Sequence, residues 1–257
     1  MIREVSEAEV EKALSDWRRE GFAKIEGVAT PETLGTLRSR IEALIAGTHP
    51  DPGLFFQPDA TTGRYEDVVN EDGWRGPDVA YRKIDRLQRD ELFLGWVRNP
   101  LFARLCSEVY PNGTSLYRTV LFSKAPNLGT PIPWHQDAGK LWGLDRNPEL
   151  QAWTALDDAS VEAGCLWVIP RSHRWGLATE MGGLVPVAEV EKRQVNEGIA
   201  VPVSAGDVVL VHSLVWHRSG SNTTDRPRRG LTASFLDADT QCVRKKRAPR
   251  NFLRVFP

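Results

Sequence analysis

Between residues 116 and 235 the chain repeats one pattern. Short runs rich in Val, Ile, Leu, Thr and Trp alternate with Gly, Pro and Asp punctuation, at 116–124, 132–137, 151–156, 165–169, 201–203, 208–212 and 230–235. Runs of this length and composition read as β-strands. A long series of short strands leaves few solutions, because every sheet edge has to be covered or closed. Sandwiches, barrels and jelly rolls are those solutions.

The first half reads differently. Residues 6–21 form a predicted helix, with Ser6 as N-cap, Glu9 completing a capping box and Gly21 as the stop. Thr30 and Pro31 open a second helix over 31–46. Helical spacing returns at 91–97 and 101–109, divided by Pro100, and 22–28 and 79–84 have strand character. Residues 47–77 are rich in Gly, Pro, Asp and Asn and lack periodicity; their aromatics Phe55, Phe56, Tyr65 and Trp74 either close over a ligand or pin the loop. The expected fold is mainly β with flanking α-helices, a cupin-like jelly roll with helices packed on one side. At 257 residues the whole chain, 1–257, is expected to be one domain, with 1–110 as helical support and lid and 111–240 as the jelly-roll core.

Composition narrows the function classes. The formal net charge of -1 gives no basic field for nucleic acid. The run Arg244-Lys245-Lys246-Arg247 reads as a solvated surface. No apolar stretch approaches the roughly 18 residues of a membrane span. Met1-Ile2-Arg3-Glu4 opens no signal peptide. Cys106, Cys165 and Cys242 are odd in number and widely spaced, which is neither a disulfide framework nor a zinc site. A cytoplasmic protein without membrane or nucleic-acid partners is expected. The oligomeric state is not encoded in these features.

Trp134-His135-Gln136-Asp137 places an imidazole and a carboxylate two residues apart at the end of a predicted strand, so both project to one side. Together they make two thirds of the facial triad that holds non-haem iron. The remaining ligand must come from a distant strand. His49 lies in an exposed turn and His173 reads as a structural hydrogen-bonding group. His212 and His217 both qualify by type. The surroundings favour His217: Ser219 follows closely, and Arg228 stands eleven residues on, on the next strand. A guanidinium fork there matches a carboxylate bidentately. Taken alone, Arg228 reads as a surface ion-pairing residue beside Arg226 and Arg229.

Taken together these stretches resemble the phytanoyl-CoA dioxygenase family of Fe(II)/2-oxoglutarate oxygenases. The carriers are Trp134 to Asp137, Ala152-Trp153-Thr154-Ala155-Leu156, Gly164 through His173, Gly206-Asp207-Val208-Val209, His217 through Asn222, and Arg228. The resemblance implies a double-stranded β-helix, a hydroxylase of a small-molecule substrate, Fe(II) on His135, Asp137 and His217, and O2 and 2-oxoglutarate as co-reactants. It implies that Arg228 and Ser219 take the distal carboxylate of 2-oxoglutarate, with Trp153 and Lys83 beside it. Related halogenases carry a small residue where this chain has Asp137, so hydroxylation is expected. A non-catalytic jelly-roll binder and another metal enzyme on a cupin-like roll, such as a zinc hydrolase, are the competing readings; the pairing of intact ligands with Arg228 and Ser219 disfavours both. Arg82, Arg118, Lys140 and Trp142 stand near the motifs and suit an anionic or aromatic acceptor as well as ordinary surface roles.

Overall fold

The computed structural model describes residues 2–69, 73–195, 197–245 and 250–257. Lys246 and Arg247 of the basic run, and residues 70–72 of the 47–77 segment, lie outside them. In chain order the first half holds α1 (Glu7–Glu20), β1 (Phe22–Ile25), α2 (Pro31–Ala46), β2 (Phe55–Pro58), β3 (Tyr81–Asp85), α3 (Glu91–Val97) and α4 (Pro100–Val109). Then come β4 (Thr114–Lys124), β5 (Ile132–Gln136), β6 (Leu150–Ala155), β7 (Leu166–Val168), β8 (Gly183–Leu184), α5 (Val187–Lys192), β9 (Ile199–Val201), β10 (Val208–His212), β11 (His217–Ser219), β12 (Arg228–Asp237) and β13 (Leu253–Phe256).

The local signals act as physics requires. Ser6 and Glu9 bond reciprocally across the first turn of α1, satisfying donors that have no helical partner. Gly21 ends that helix at φ 87°, a left-handed position that costs glycine little. Thr30 caps α2 and Pro31 follows inside it.

Two antiparallel sheets face each other. The larger has the order β1-β10-β6-β12-β4-β3-β2, with β13 also on β4; the smaller runs β8-β5-β11-β7-β9. This is the jelly roll that the strand series predicts. Alternation along each strand of the large sheet divides its faces. Val208 and Leu210 of β10, and Leu231, Ala233 and Phe235 of β12, pack with Leu14, Leu37, Ile41 and Phe102 of the helices. Val209 and Val211 face the other way, with Trp153 of β6 and Val168 of β7 between the sheets. The helices therefore cover the back of the large sheet, and its front is left for a cavity. Among the described residues no helix is long and apolar enough to cross a membrane.

The structure corrects several boundaries. β2 lies in the segment expected to lack structure: it pairs with β3, and buried Phe56 meets Tyr81 edge-on at 5.1 Å. Trp74 is exposed, yet its indole donates to the Ile45 carbonyl at 2.8 Å and so pins that loop to α2. β11 and β13 were not expected as strands either; each is only a few residues long.

Candidate metal centre

β5 and β11 pair in the small sheet with His217 directly opposite His135. Their rings stand 4.0 Å apart, centre to centre. Asp137 is the first residue past β5, and its backbone N–H donates to the Ser213 carbonyl at 2.9 Å, which turns the chain inward. One ligand atom each from His135, Asp137 and His217 lies within 4.8 Å of the others. That is the donor set and spacing of a two-histidine, one-carboxylate metal site.

The histidine tautomers are set by the backbone. Nδ1 of His135 lies 2.8 Å from the Pro133 carbonyl, and Nδ1 of His217 lies 2.9 Å from the Val215 carbonyl. A carbonyl only accepts, so each Nδ1 carries the proton and each Nε2 is left as a lone-pair donor toward the centre. Burial pushes His135 down to about 4, aided by the charge of His217. Burial also opposes charge on His217, but Asp137, 3.5 Å from its Nε2, outweighs it and raises the imidazole. For Asp137 burial acts upward, and the His217 imidazole, with His135 and Arg118 behind it, holds the carboxyl below the usual carboxylate range.

The other residues singled out in the sequence fall into two groups. Arg228, Ser219, Trp153 and Lys83 line one cavity with the triad, of about 890 Å³, between the sheets. Arg228 is 4% exposed, its guanidinium is 5.9 Å from the Trp153 ring centre, and its Nε has no hydrogen-bond partner. Among the described residues no carboxylate lies within ion-pairing distance of it, and burial lowers it to about 10. Ser219 Oγ is likewise buried without a partner. Buried donors are normally satisfied, and a carboxylate would satisfy these two. Lys83 reaches the cavity from β3, with Asp85 at 3.1 Å. Arg82, Arg118 and Trp142 also line it, whereas Lys140 lies outside, ion-paired to Glu180 at 2.5 Å.

His212 is on the other side of β10. It stacks on Trp17 at 5.3 Å and lies tilted against His173 at 4.9 Å, and its Nδ1 accepts from the Leu214 N–H. Arg229 points away from the cavity to Asp157 at 2.7 Å and Glu42 at 3.1 Å. His49 is half-exposed, 3.7 Å from Asp90.

Two site residues escaped the sequence reading. Gln151 is buried and donates to Asp137 Oδ2 at 2.9 Å, while Ser234 donates to Gln151 Oε1 at 2.9 Å. Gln151 stands two residues before Trp153, so strand alternation places both on the cavity face; that was the available signal. Gln136 ties two loops to the end of β5. Its amide donates to the Gly176 and Leu214 carbonyls, and its carbonyl accepts from the Ala178 N–H.

A family model described as phytanoyl-CoA dioxygenase matches residues 17–230. A phytanoyl-CoA dioxygenase domain-containing protein 1 of Danio rerio is 26% identical, over 93% of this chain and 92% of its own length. Among solved structures, the epimerase SnoN in complex with Fe3+, alpha ketoglutarate and nogalamycin RO superposes with a TM-score of 0.75 at 19% identity, covering 98% of this chain and 99% of that one. The alpha ketoglutarate-dependent carbocyclase SnoK from nogalamycin biosynthesis gives 0.72 at 21% identity, covering 98% and 96%. At these identities the structural likeness speaks for the fold.

Proposed function

The chain belongs to the phytanoyl-CoA dioxygenase family of Fe(II)/2-oxoglutarate oxygenases, and from that premise we propose that it hydroxylates a small-molecule acceptor. The observation that carries the reading is the pairing of the buried His135–Asp137–His217 cluster with two unsatisfied donors, Arg228 Nε and Ser219 Oγ, in the same cavity. A bare metal hydrolase has no use for that second pair.

In this reading both imidazole Nε2 atoms and the Asp137 carboxylate hold Fe(II). The bound ion, with 2-oxoglutarate and O2, supplies the oxidation that releases succinate and CO2 and transfers one oxygen atom to the acceptor. The protein supplies the rest. Arg228 and Ser219 take the distal carboxylate of 2-oxoglutarate in a place where water is excluded. Trp153 forms the wall beside it, and Lys83 adds positive charge. Gln151 fixes the Asp137 carboxylate, and the two backbone carbonyls fix the imidazoles. The single oxygenase domain is proposed to be the whole chain, because β1, β2 and β3 from the first 110 residues are strands of the large sheet.

SnoN and SnoK are an epimerase and a carbocyclase, so the outcome of oxidation is tested by product mass. Acceptors screened with Fe(II), 2-oxoglutarate and O2 are expected to gain one oxygen atom. A product isomeric with its acceptor, or short of two hydrogens, would overturn hydroxylation and leave the oxygenase in place.

A further inference from the structure

The proposed oxygenase reading assigns Arg228 and Lys83 and leaves the other cations of the cavity, Arg118 among them, without a ligand. β4 presents Arg118, Val120, Phe122 and Lys124 to the cavity side, and β12 sets Ser234, Thr232, Gly230 and Arg228 against them. Arg228 is therefore opposite Lys124, six positions from Arg118. At about 3.3 Å per residue the two guanidinium-bearing positions are about 20 Å apart along the sheet. A five-carbon diacid anchored on Arg228 has its other end on the triad, whose Asp137 accepts from Gln151 in the row of Ser234 and Arg118, so Arg118 stands beside the ligand set at the opposite end of the row from the anchor.

Arg118 is nevertheless built like a receptor. Its side chain is 18% exposed. The guanidinium lies 4.8 Å from the Trp142 ring centre and 5.8 Å from that of Tyr117, two rings stacked at 4.6 Å that hold it in place. Its Nε is buried without a hydrogen-bond partner. Among the described residues its one ion-pairing carboxylate, Asp85 at 3.6 Å, is shared with Lys83 at 3.1 Å. Arg244, from the C-terminal segment, donates to the Leu141 and Trp142 carbonyls beside it and also lines the cavity.

Charge over the whole cavity points the same way. Its lining holds six cationic side chains and two carboxylates, Glu66 and Asp137. A ferrous ion and a 2-oxoglutarate dianion cancel one another, so loading the site leaves the cationic excess for the acceptor. Leu141 and Leu184 are 57% and 47% exposed at the same cavity. They offer an apolar surface next to the charge.

We infer that the acceptor carries an oxyanion on an apolar body, and that Arg118, six positions along the sheet from Arg228 and in the row of Ser234 and Gln151 beside the triad, receives the oxyanion with Arg244 at its flank. This rests on the oxygenase reading for the place of 2-oxoglutarate. Carboxylate and phosphate share the required chemistry, because the guanidinium fork matches both.

Three probes with one body separate the possibilities: octanoate, octyl phosphate and octanol. Each is titrated into the protein loaded with Fe(II) and 2-oxoglutarate without O2, followed by calorimetry and tryptophan fluorescence. At least one acid probe is expected to bind about tenfold more tightly than octanol, the ratio that one charged hydrogen bond confers. The tighter of the two identifies the acid. Arg118→Gln should remove the preference, Arg118→Lys should keep part of it, and the affinity of Arg118→Gln for 2-oxoglutarate should stay within about threefold of the parent. Acid probes that bind no better than octanol to the parent protein would overturn the inference, whether or not the variants fold. So would a tenfold loss of 2-oxoglutarate affinity in Arg118→Gln, which would assign Arg118 to the cosubstrate. A protein that shows the acid preference but does not bind 2-oxoglutarate would fail the oxygenase reading alone.

Discussion

Asp137, the proposed carboxylate ligand, depends on residues outside the proposed ligand set. Its carboxylate accepts from Gln151, and Gln151 accepts in turn from Ser234. Gln151→Ala should leave the carboxylate free to rotate and lower Fe(II) affinity about 10–100-fold, as loss of an outer hydrogen-bond partner typically does. Ser234→Ala should cost less, since Gln151 keeps its bond to Asp137. Titration of Fe(II) without O2 reads both; an unchanged Gln151→Ala would remove the orienting role. Arg228 and Arg229 give a sharper contrast, being neighbours with opposite surroundings. Arg228→Lys keeps charge but loses the fork, and should weaken 2-oxoglutarate by about one to two orders of magnitude. Arg229→Ala should leave that affinity intact and destabilise the fold by about 1–3 kcal/mol, because Asp157 loses its nearest cation and keeps only Arg38 at 3.3 Å. Reversal of the two effects in a cosubstrate titration would put the carboxylate anchor on the wrong residue.

At the scale of elements, β12 shows why so much of the centre could be read in advance. Its ten residues alternate strictly: Arg228, Gly230, Thr232 and Ser234 to the cavity, Leu231, Ala233 and Phe235 to the helices. Arg228 stands out in the sequence by its place eleven residues after His217 and by the family resemblance, and the alternation of the strand then accounts for Arg229 facing the other way. β11 has three residues and β2 ends in Pro58, too little for any periodicity to register. Their pairing is decided by neighbours far away in the chain. The row that joins Arg118, Ser234 and Gln151 was hidden for the same reason, since it exists only once β4, β12 and β6 are in register. On the back of β10 a different prediction applies. His212 is lowered to about 4 by burial, and the nearby charge of His173 acts in the same direction. Trp17, Arg18, Glu108, Glu149 and His173 line the small cavity around it. The unfolded imidazole takes up a proton near pH 6.5, and the folded one resists until about pH 4. Its contribution is therefore full above about pH 6.5 and is lost as the pH falls toward 4, by at most about 3 kcal/mol. His212→Gln should flatten that part of the stability profile while leaving Fe(II) binding unchanged. A denaturation series across this range checks it, and loss of iron in His212→Gln would contradict its placement behind the sheet.

In the whole molecule, the two halves of the chain divide the work. Helices from the first half bury the back of the large sheet, which holds β4, β6 and β12 rigid. The small sheet contributes the paired histidines, and the space between the sheets is lined from both. A diacid seated on Arg228 and the triad would thus bridge the large sheet and the small one. The most direct test of the account is turnover of 2-oxoglutarate by the purified protein, measured as succinate formed with Fe(II) and O2 and no acceptor. Succinate is expected to appear, to require both Fe(II) and O2, and to vanish in Asp137→Ala and His217→Ala while persisting in His212→Gln. Succinate at the same rate in Asp137→Ala as in the parent protein, or none in the parent protein at saturating Fe(II) and 2-oxoglutarate, would contradict it.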